Sequence, residues 1–164
     1  MRPARRTDAA AILAIYNDAV ARTVATFDTE PRSRPAQEGW MREHDDPFVI
    51  LVAVSERRVV GWAALSRWSS RRAYDRTAEN SVYVAVGWRG HGIGSALLAH
   101  LVRHADERGF HCVIARIAEG NPASERLHAA AGFRRVGVLR EVGWKFQRWV
   151  DVGVWQRLGK RNPS

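Results

Sequence analysis

Between residues 82 and 110 the chain reads VYVAVGWRGHGIGSALLAHLVRHADERGF, and Arg89, Gly90, His91, Gly92, Ile93, Gly94 and Ser95 separate a strand-like run from an amphipathic one. Glycines let backbone approach a ligand closely. The first turn of a following helix offers free N–H groups and the positive end of a dipole, so such a segment suits an anion such as pyrophosphate. Three phosphate-binding patterns can be laid on it. A Walker loop ends in Gly-Lys-Ser/Thr, and this turn has no lysine. A G-x-G-x-x-G fingerprint starting at Gly90 meets Ser95 where it wants Gly or Ala, with no acidic residue about twenty positions further on. The pattern R-x-x-G-x-G fits, with Arg89, Gly92 and Gly94 in register. A tight strand-to-helix connection with no ligand would use the same glycines.

Two further residues have proton chemistry. Glu79 begins the otherwise neutral run ENSVYVAV. Simple alternation puts Glu79, Ser81 and Tyr83 on one face and Val82, Val84 and Val86 on the other. A carboxylate at such a strand start can meet an ammonium ion and act as general base, because an amine attacks only after losing its proton. A surface glutamate is the plainer alternative. His128 lies in NPASERLHAAAGF beside the apolar positions Leu127 and Ala131. Its imidazole can give or take a proton near neutrality, or simply pack and hydrogen-bond.

The elements that must hold these residues follow from periodicity and turn signals. A short strand precedes a helix over 7–22 that Thr7 would cap. The segment 26–35, TFDTEPRSRP, reads as a loop, and a second helix covers about 35–44. FVILVAV (48–54) and VVGWAALS (59–66) are strands joined by a hairpin, and 68–76 is a basic loop. A strand over 78–86 leads into the glycine turn and a helix from about 92 to 108. A strand follows at 111–118, and Asn121 and Pro122 then start a helix that stops at Gly132. Strands near 133–141 and 146–156 close the chain. This order predicts an α/β (α+β) fold, a mixed sheet covered by helices.

Composition narrows the function. The 164 residues suit one domain, and no apolar run is long enough to span a membrane. The net charge of +9 raises nucleic-acid binding as an alternative, but the arginines are scattered rather than clustered. A solvated arginine-rich surface or a site for a polyanionic ligand accounts for the charge as well. The lone Cys112 excludes an internal disulfide, suits a buried position and leads us to expect a cytoplasmic protein. His44, His91, His100, His104 and His111 form no ligand set with a carboxylate or cysteine, so no metal is expected.

The blocks AIYNDAV, FDTEP, AYDRTAENSVYV, RGHGIGSALL, NPASERLHAAAGF and GWKFQRWVDVGVWQ, in that order, resemble the GCN5-related N-acetyltransferase superfamily over nearly the whole chain. Within it they resemble the phosphinothricin/methionine sulfoximine branch. The resemblance implies the GNAT fold over residues 1–164, acetyl-CoA as cosubstrate, and direct acetyl transfer to the α-amine of a small toxic amino-acid analogue. Another small amine or a protein N-terminus is the alternative acceptor. It implies that Val82, Tyr83 and Val84 lie along the cosubstrate's arm and that Arg89 to Ser95 hold its pyrophosphate, with Asn121 and Ser124 contacting it from the next helix. It implies Glu79 as general base and His128, where many members have tyrosine, as a proton donor to the thiolate. Phe27, Arg71, Arg72, Tyr74, Glu79 and Tyr83 match the substrate pocket. Ser69 stands after Trp68 where the branch carries a basic residue. A homodimer is implied, with Lys145 and Trp149 near the partner's pocket.

Overall fold

A computed structural model describes residues 1–159; the expected domain runs on to 164, so its last residues lie outside the described ones. Seven strands, β1 (Arg2–Pro3), β2 (Val49–Ser55), β3 (Arg58–Arg67), β4 (Thr77–Val84), β5 (Cys112–Ala118), β6 (Arg134–Lys145) and β7 (Arg148–Leu158), form one sheet. Their order is β1-β2-β3-β4-β5-β7-β6. All neighbours are antiparallel except β4 and β5, so the sheet is mixed, as expected. Helices α1 (Ala9–Arg22), α2 (Arg34–Arg42), α3 (Ile93–Glu107) and α4 (Pro122–Ala130) cover it.

Alternation along the strands sorts the apolar side chains into two cores. Ile12, Tyr16 and Val20 of α1 pack with Ile50, Val52 and Trp62 on one face. Leu97, Leu98 and Leu101 of α3 pack with Leu51, Ala63, Leu65 and Val113 on the other. Tyr83 joins the first core and Val82 the second, as the period of two requires. Val86 does not continue that face. β4 stops at Val84, and Val86–Trp88 is a 3-10 turn that leaves Val86 59% exposed.

Thr7 caps nothing. Residues Arg6–Asp8 form a 3-10 turn, and Asp8 receives the Arg5 N–H and a bidentate Arg2 guanidinium. Ser33 caps α2 and Asn121 caps α4, accepting from Ala36 and Ser124 respectively. The first closing strand runs further than expected and the second starts and ends two residues later; they meet at Phe146 and Gln147, both at positive φ. That turn carries no glycine or asparagine, so it left no mark in the sequence.

Gly61 permits the close approach of β4 and α3. A Cβ there would stand 3.0 Å from the Tyr83 carbonyl oxygen, 3.2 Å from Leu97 Cδ1 and 3.3 Å from Ile93 Cγ2. A backbone carbonyl inside a ladder cannot yield, so Gly61→Ala is expected to cost about 1–3 kcal/mol. Urea denaturation of the variant against the parent checks this.

Candidate active site

The sheet forks. β4 and β5 pair only as Thr77↔Cys112, Ala78↔Val113 and Glu79↔Ile114, and then diverge. Below the fork their facing edges lack ladder partners, because β4 bonds outward to β3 and β5 to β7. A cavity of about 520 Å³ fills the gap, lined by Asn80 to Tyr83 of β4 and Ala115 to Ala118 of β5. It reaches Asn121, Ser124 and His128 of α4 and, in the other direction, Phe27, Asp28, Arg32, Trp40 and Trp62.

The glycine turn joins β4 to α3 beside this gap. Gly90 and Gly92 have φ of 80° and 75°, and a Cβ on either would meet nothing within 4 Å, so conformation rather than crowding requires glycine. Gly92 is the N-cap, and the first bond onto it is the Ala96 N–H to the Gly92 carbonyl. The N–H groups of Ile93, Gly94 and Ser95 precede any intrahelical acceptor, the arrangement that binds an anion. Gly94 differs from its neighbours: its φ is ordinary, and a methyl there would make normal contact with Leu127 of α4 at 3.5 Å. Arg89 donates through Nε to the Val84 carbonyl, and its carbonyl accepts from His91 Nδ1. The turn therefore fits a pyrophosphate through backbone N–H groups, and the free β4 edge fits an amide-bearing arm.

Glu79 lies at the fork and lines the cavity. Both of its oxygens accept from Arg116 of β5, at 2.5 Å from Nε and 2.9 Å from Nη2. Arg116 was not expected, though a charge inside the apolar run CVIARIA was a signal.

His128 is buried, 4% exposed. Its Nε2 lies 3.0 Å from Asn80 Oδ1, and its Nδ1 lies 2.8 Å from the Ser124 carbonyl and 3.3 Å from the Ser124 hydroxyl. Burial pushes the imidazole below its ordinary value, against the Ser124 carbonyl, which favours a proton on the ring. Asn80 Nδ2 donates to the Ile114 carbonyl at 3.1 Å, which fixes the amide so that its oxygen faces His128. An acceptor at Nε2 requires a proton there. Neutral His128 is then the Nε2–H form, with Nδ1 accepting the Ser124 hydroxyl; a second proton turns Nδ1–H to the Ser124 carbonyl. Asn80 was also missed, although a polar residue at an inward strand position always needs partners.

The segment before α2 forms the far wall. Tyr83 stacks on Trp62 with ring centroids 4.7 Å apart, and its hydroxyl donates to the Ala25 carbonyl. Burial pushes this phenol well above its ordinary value, so it stays protonated. With its proton already committed, it is a poor oxyanion donor. Phe27 lies directly on the Gly143 Cα; a Cβ there would fall 2.0 Å from the ring. Lys145 does not reach outward as expected. It is 4% exposed, and its ammonium donates to the Thr26 carbonyl at 2.8 Å within its own chain. Burial lowers its pKa and the Asp28 carboxylate opposes that. Trp149, by contrast, is exposed and packs edge-on against Trp144.

Arg71, Arg72 and Tyr74 are not brought into the cavity. They are exposed on a 3-10 turn over Arg72–Tyr74, where Arg67 pairs with Asp75 and Ser69 Oγ accepts the Arg71 N–H. Cys112 is buried and accepts from Gln156 Nε2. Among the described residues no helix is long and apolar enough to cross a membrane, and no cluster of His, Cys, Asp or Glu is arranged to hold a metal ion.

The chain matches the model of the Acetyltransferase (GNAT) family over residues 12–133. It is 40% identical to the phosphinothricin N-acetyltransferase of Streptomyces coelicolor, across 96% of this chain and 94% of that protein. The crystal structure of a ribosomal-protein-alanine N-acetyltransferase from Brucella melitensis superposes with a TM-score of 0.93 at 41% identity, covering 96% and 98% of the two chains. A phosphinothricin acetyltransferase from Sinorhizobium meliloti, solved with AcCoA, gives 0.92 at 36% identity, covering 96% and 87%.

Nitrogen–proton NMR of the imidazole tests the hydrogen-bond assignment at α4. Neutral His128 is expected to hold its proton on Nε2. In Asn80→Ala the proton is expected to move to Nδ1, toward the Ser124 carbonyl. An Nδ1–H ring in the parent protein contradicts the assignment.

Proposed function

The chain belongs to the acetyltransferase (GNAT) family, and from that premise we propose that its acceptor is the α-amine of a free amino-acid analogue of the phosphinothricin, methionine sulfoximine or methionine sulfone type. The enzyme is an acetyl-CoA-dependent N-acetyltransferase. The observation that carries the substrate reading is the forked cavity, because it joins the glycine-turn side of the sheet to a polar pocket behind Glu79.

Acetyl-CoA supplies an activated acetyl thioester. The N–H groups of Gly90 to Ser95 and the side chain of Arg89 are the donors for its diphosphate, and the free edge at Val82, Tyr83 and Val84 orders its amide-bearing arm. Asn121 and Ser124 border the same passage at the start of α4. The backbone N–H groups of that edge are also the donors for negative charge developing on a carbonyl oxygen.

An α-amine has a reference pKa of about 8, so at neutral pH most of it arrives as ammonium. Glu79 attracts that cation and takes its proton, with Arg116 holding the carboxylate in one orientation. His128 borders the passage, and in its doubly protonated form, with Nδ1–H on the Ser124 carbonyl, it gives one proton to the leaving thiolate and reverts to the neutral ring that Asn80 and Ser124 hold. Phe27 and Tyr83 wall the acceptor pocket. Arg71, Arg72 and Tyr74 stand outside this cavity, and the substrate role that the resemblance gives them has no support in the single chain.

We also propose a homodimer. The closing hairpin exposes Val136, Leu139, Val142, Trp144, Phe146 and Trp149, and β6 is an edge strand with an open backbone. A cytoplasmic address fits an enzyme that draws on acetyl-CoA.

The Brucella relative favours a second acceptor, the alanine terminus of a protein. Thiol release from acetyl-CoA with phosphinothricin, methionine sulfoximine, methionine sulfone and an alanine-terminated peptide separates the two. Turnover is expected with at least one free analogue and little with the peptide; none with any free amino acid overturns the reading. Glu79→Gln is expected to lower kcat about 10²-fold or more while the Kd for acetyl-CoA, measured by calorimetry, stays the same. Gly143→Ala is expected to push the Phe27 ring off its seat and raise KM for the amine severalfold. Because the ring can swing toward solvent, Tm changes little.

A further inference from the structure

Four charged side chains line the cavity: Asp28, Arg32, Glu79 and Arg116. Glu79 and Arg116 neutralise each other. Asp28 accepts the Tyr16 hydroxyl at 2.5 Å, and its charge faces the buried Lys145. Arg32 is different. Among the described residues no carboxylate oxygen lies within 4.0 Å of its guanidinium. Its one side-chain hydrogen bond runs from Nη1 to the neutral Gln37 Oε1 at 2.9 Å. An arginine has five N–H donors, so most of these have no acceptor in the protein.

The surroundings have the same imbalance. Trp62 also lines the cavity, is 1% exposed, and its indole N–H has no acceptor. Behind Arg32, the fully buried Gln37 has an unpaired Nε2. Native interiors rarely leave such donors unmatched. Both of these donors are sealed behind the cavity wall, so the donor group open to a ligand at this end is the Arg32 guanidinium, the complement of an anionic oxygen.

Arg32 is also held ready. Its guanidinium lies 4.2 Å from the Tyr16 ring centroid and 5.1 Å from that of Trp40. Asn17 fixes its backbone from both sides, accepting the Arg32 N–H and donating to the Arg32 carbonyl. Little ordering remains to oppose binding. Tyr16 meets Tyr83 edge-on at 5.5 Å, and Tyr83 shares the β4 face that carries Glu79. Arg32 therefore lies across an aromatic wall from the group proposed to receive the amine. At this end of the cavity Asp28 is engaged by the Tyr16 hydroxyl and faces Lys145 behind the wall, so Arg32 is the cation there with no carboxylate against it.

We infer that Arg32 is the subsite that binds an anionic or strongly accepting oxygen of the acceptor substrate. It thus supplies the cation that Ser69 fails to provide and that Arg71 and Arg72 hold away from the cavity. This rests on the reading of the acceptor as a free amino-acid analogue. The accepting oxygen belongs either to the α-carboxylate or to the side-chain terminus.

Matched acceptor pairs separate these sources: the amino acid against its carboxamide, and methionine sulfone against methionine. In the parent enzyme kcat/KM favours the oxygen-bearing member of one pair. Arg32→Gln is expected to lower that preference about ten- to a hundredfold, through KM, and to leave the other pair's ratio where it was. The affected pair identifies the group bound. Arg32→Lys keeps the charge and regains part of the preference, whereas a folding defect lowers every acceptor alike. Equal ratios in parent and Arg32→Gln for both pairs overturn the proposal. If no free amino acid is turned over, the acceptor reading fails instead. Calorimetric binding of the same pairs then decides: the inference stands only if Arg32→Gln abolishes a binding preference that the parent shows.

Discussion

The end of the β4–β5 ladder at Glu79↔Ile114 is the constraint on which the site depends. Two parallel strands that separate inside a sheet leave facing rows of N–H and C=O groups that nothing in the sheet can satisfy. Such a gap persists only if its apex is held and its sides are braced. Asn80 holds the apex. Its amide donates to the carbonyl of Ile114, the last β5 residue in the ladder, and its oxygen meets His128 of α4. One side chain thus closes the ladder, ties the helix to the fork and sets the proton on the imidazole. β3 and β7 brace the two sides with long antiparallel ladders, so the opening is confined to the centre.

Helix placement follows from the same fork. Residues Glu79, Ser81 and Tyr83 point to the face of α1 and α2, and Asn80 and Val82 to the face of α3 and α4. The passage between β4 and β5 connects these faces. Backbone donors of the glycine turn gather on one side, and aromatic rings with charged groups gather on the other. A reaction between an anionic carrier and a cationic amine needs this separation. Each reactant meets a complementary field, and they come together only where the strands part.

Much of this was legible in the chain itself. Periodicity located the helices and the main strands, because each buries one face and its apolar spacing shows it. The turn from Arg89 to Ser95 was legible because positive φ at Gly90 and Gly92 admits few other residues. What escaped depends on tertiary geometry. Nothing local records that a ladder stops, so the cavity had no signature. Arg32 and Asp28 read as loop residues because their loop becomes a wall only when α2 folds over Trp62. Lys145 was expected near a partner's pocket because the resemblance puts the closing strands at a two-fold interface, yet within the single chain the Thr26 carbonyl holds its ammonium inward. Arg71 and Arg72 match the substrate positions of the branch, and in the single chain their turn leaves both exposed.

On the proposed role of Glu79 as base, its ion pair with Arg116 bears on how a proton leaves the amine. A bidentate guanidinium occupies both carboxylate oxygens, so an incoming ammonium competes for their remaining lone pairs instead of finding a bare anion. Each carboxylate oxygen can accept more than one hydrogen bond, which lets the amine approach without displacing Arg116. Arg116 is more than half exposed and Glu79 is largely covered, so the arginine is the mobile partner of the two. The pair therefore holds the carboxylate in one orientation while the amine is absent. On the proposed role of Glu79, the amine joins Arg116 at the carboxylate through the oxygens' remaining lone pairs, and Arg116, the more exposed partner, adjusts around it. On that proposed role, proton transfer to Glu79 leaves Arg116 as the unpaired cation, and its exposure to solvent accommodates that charge.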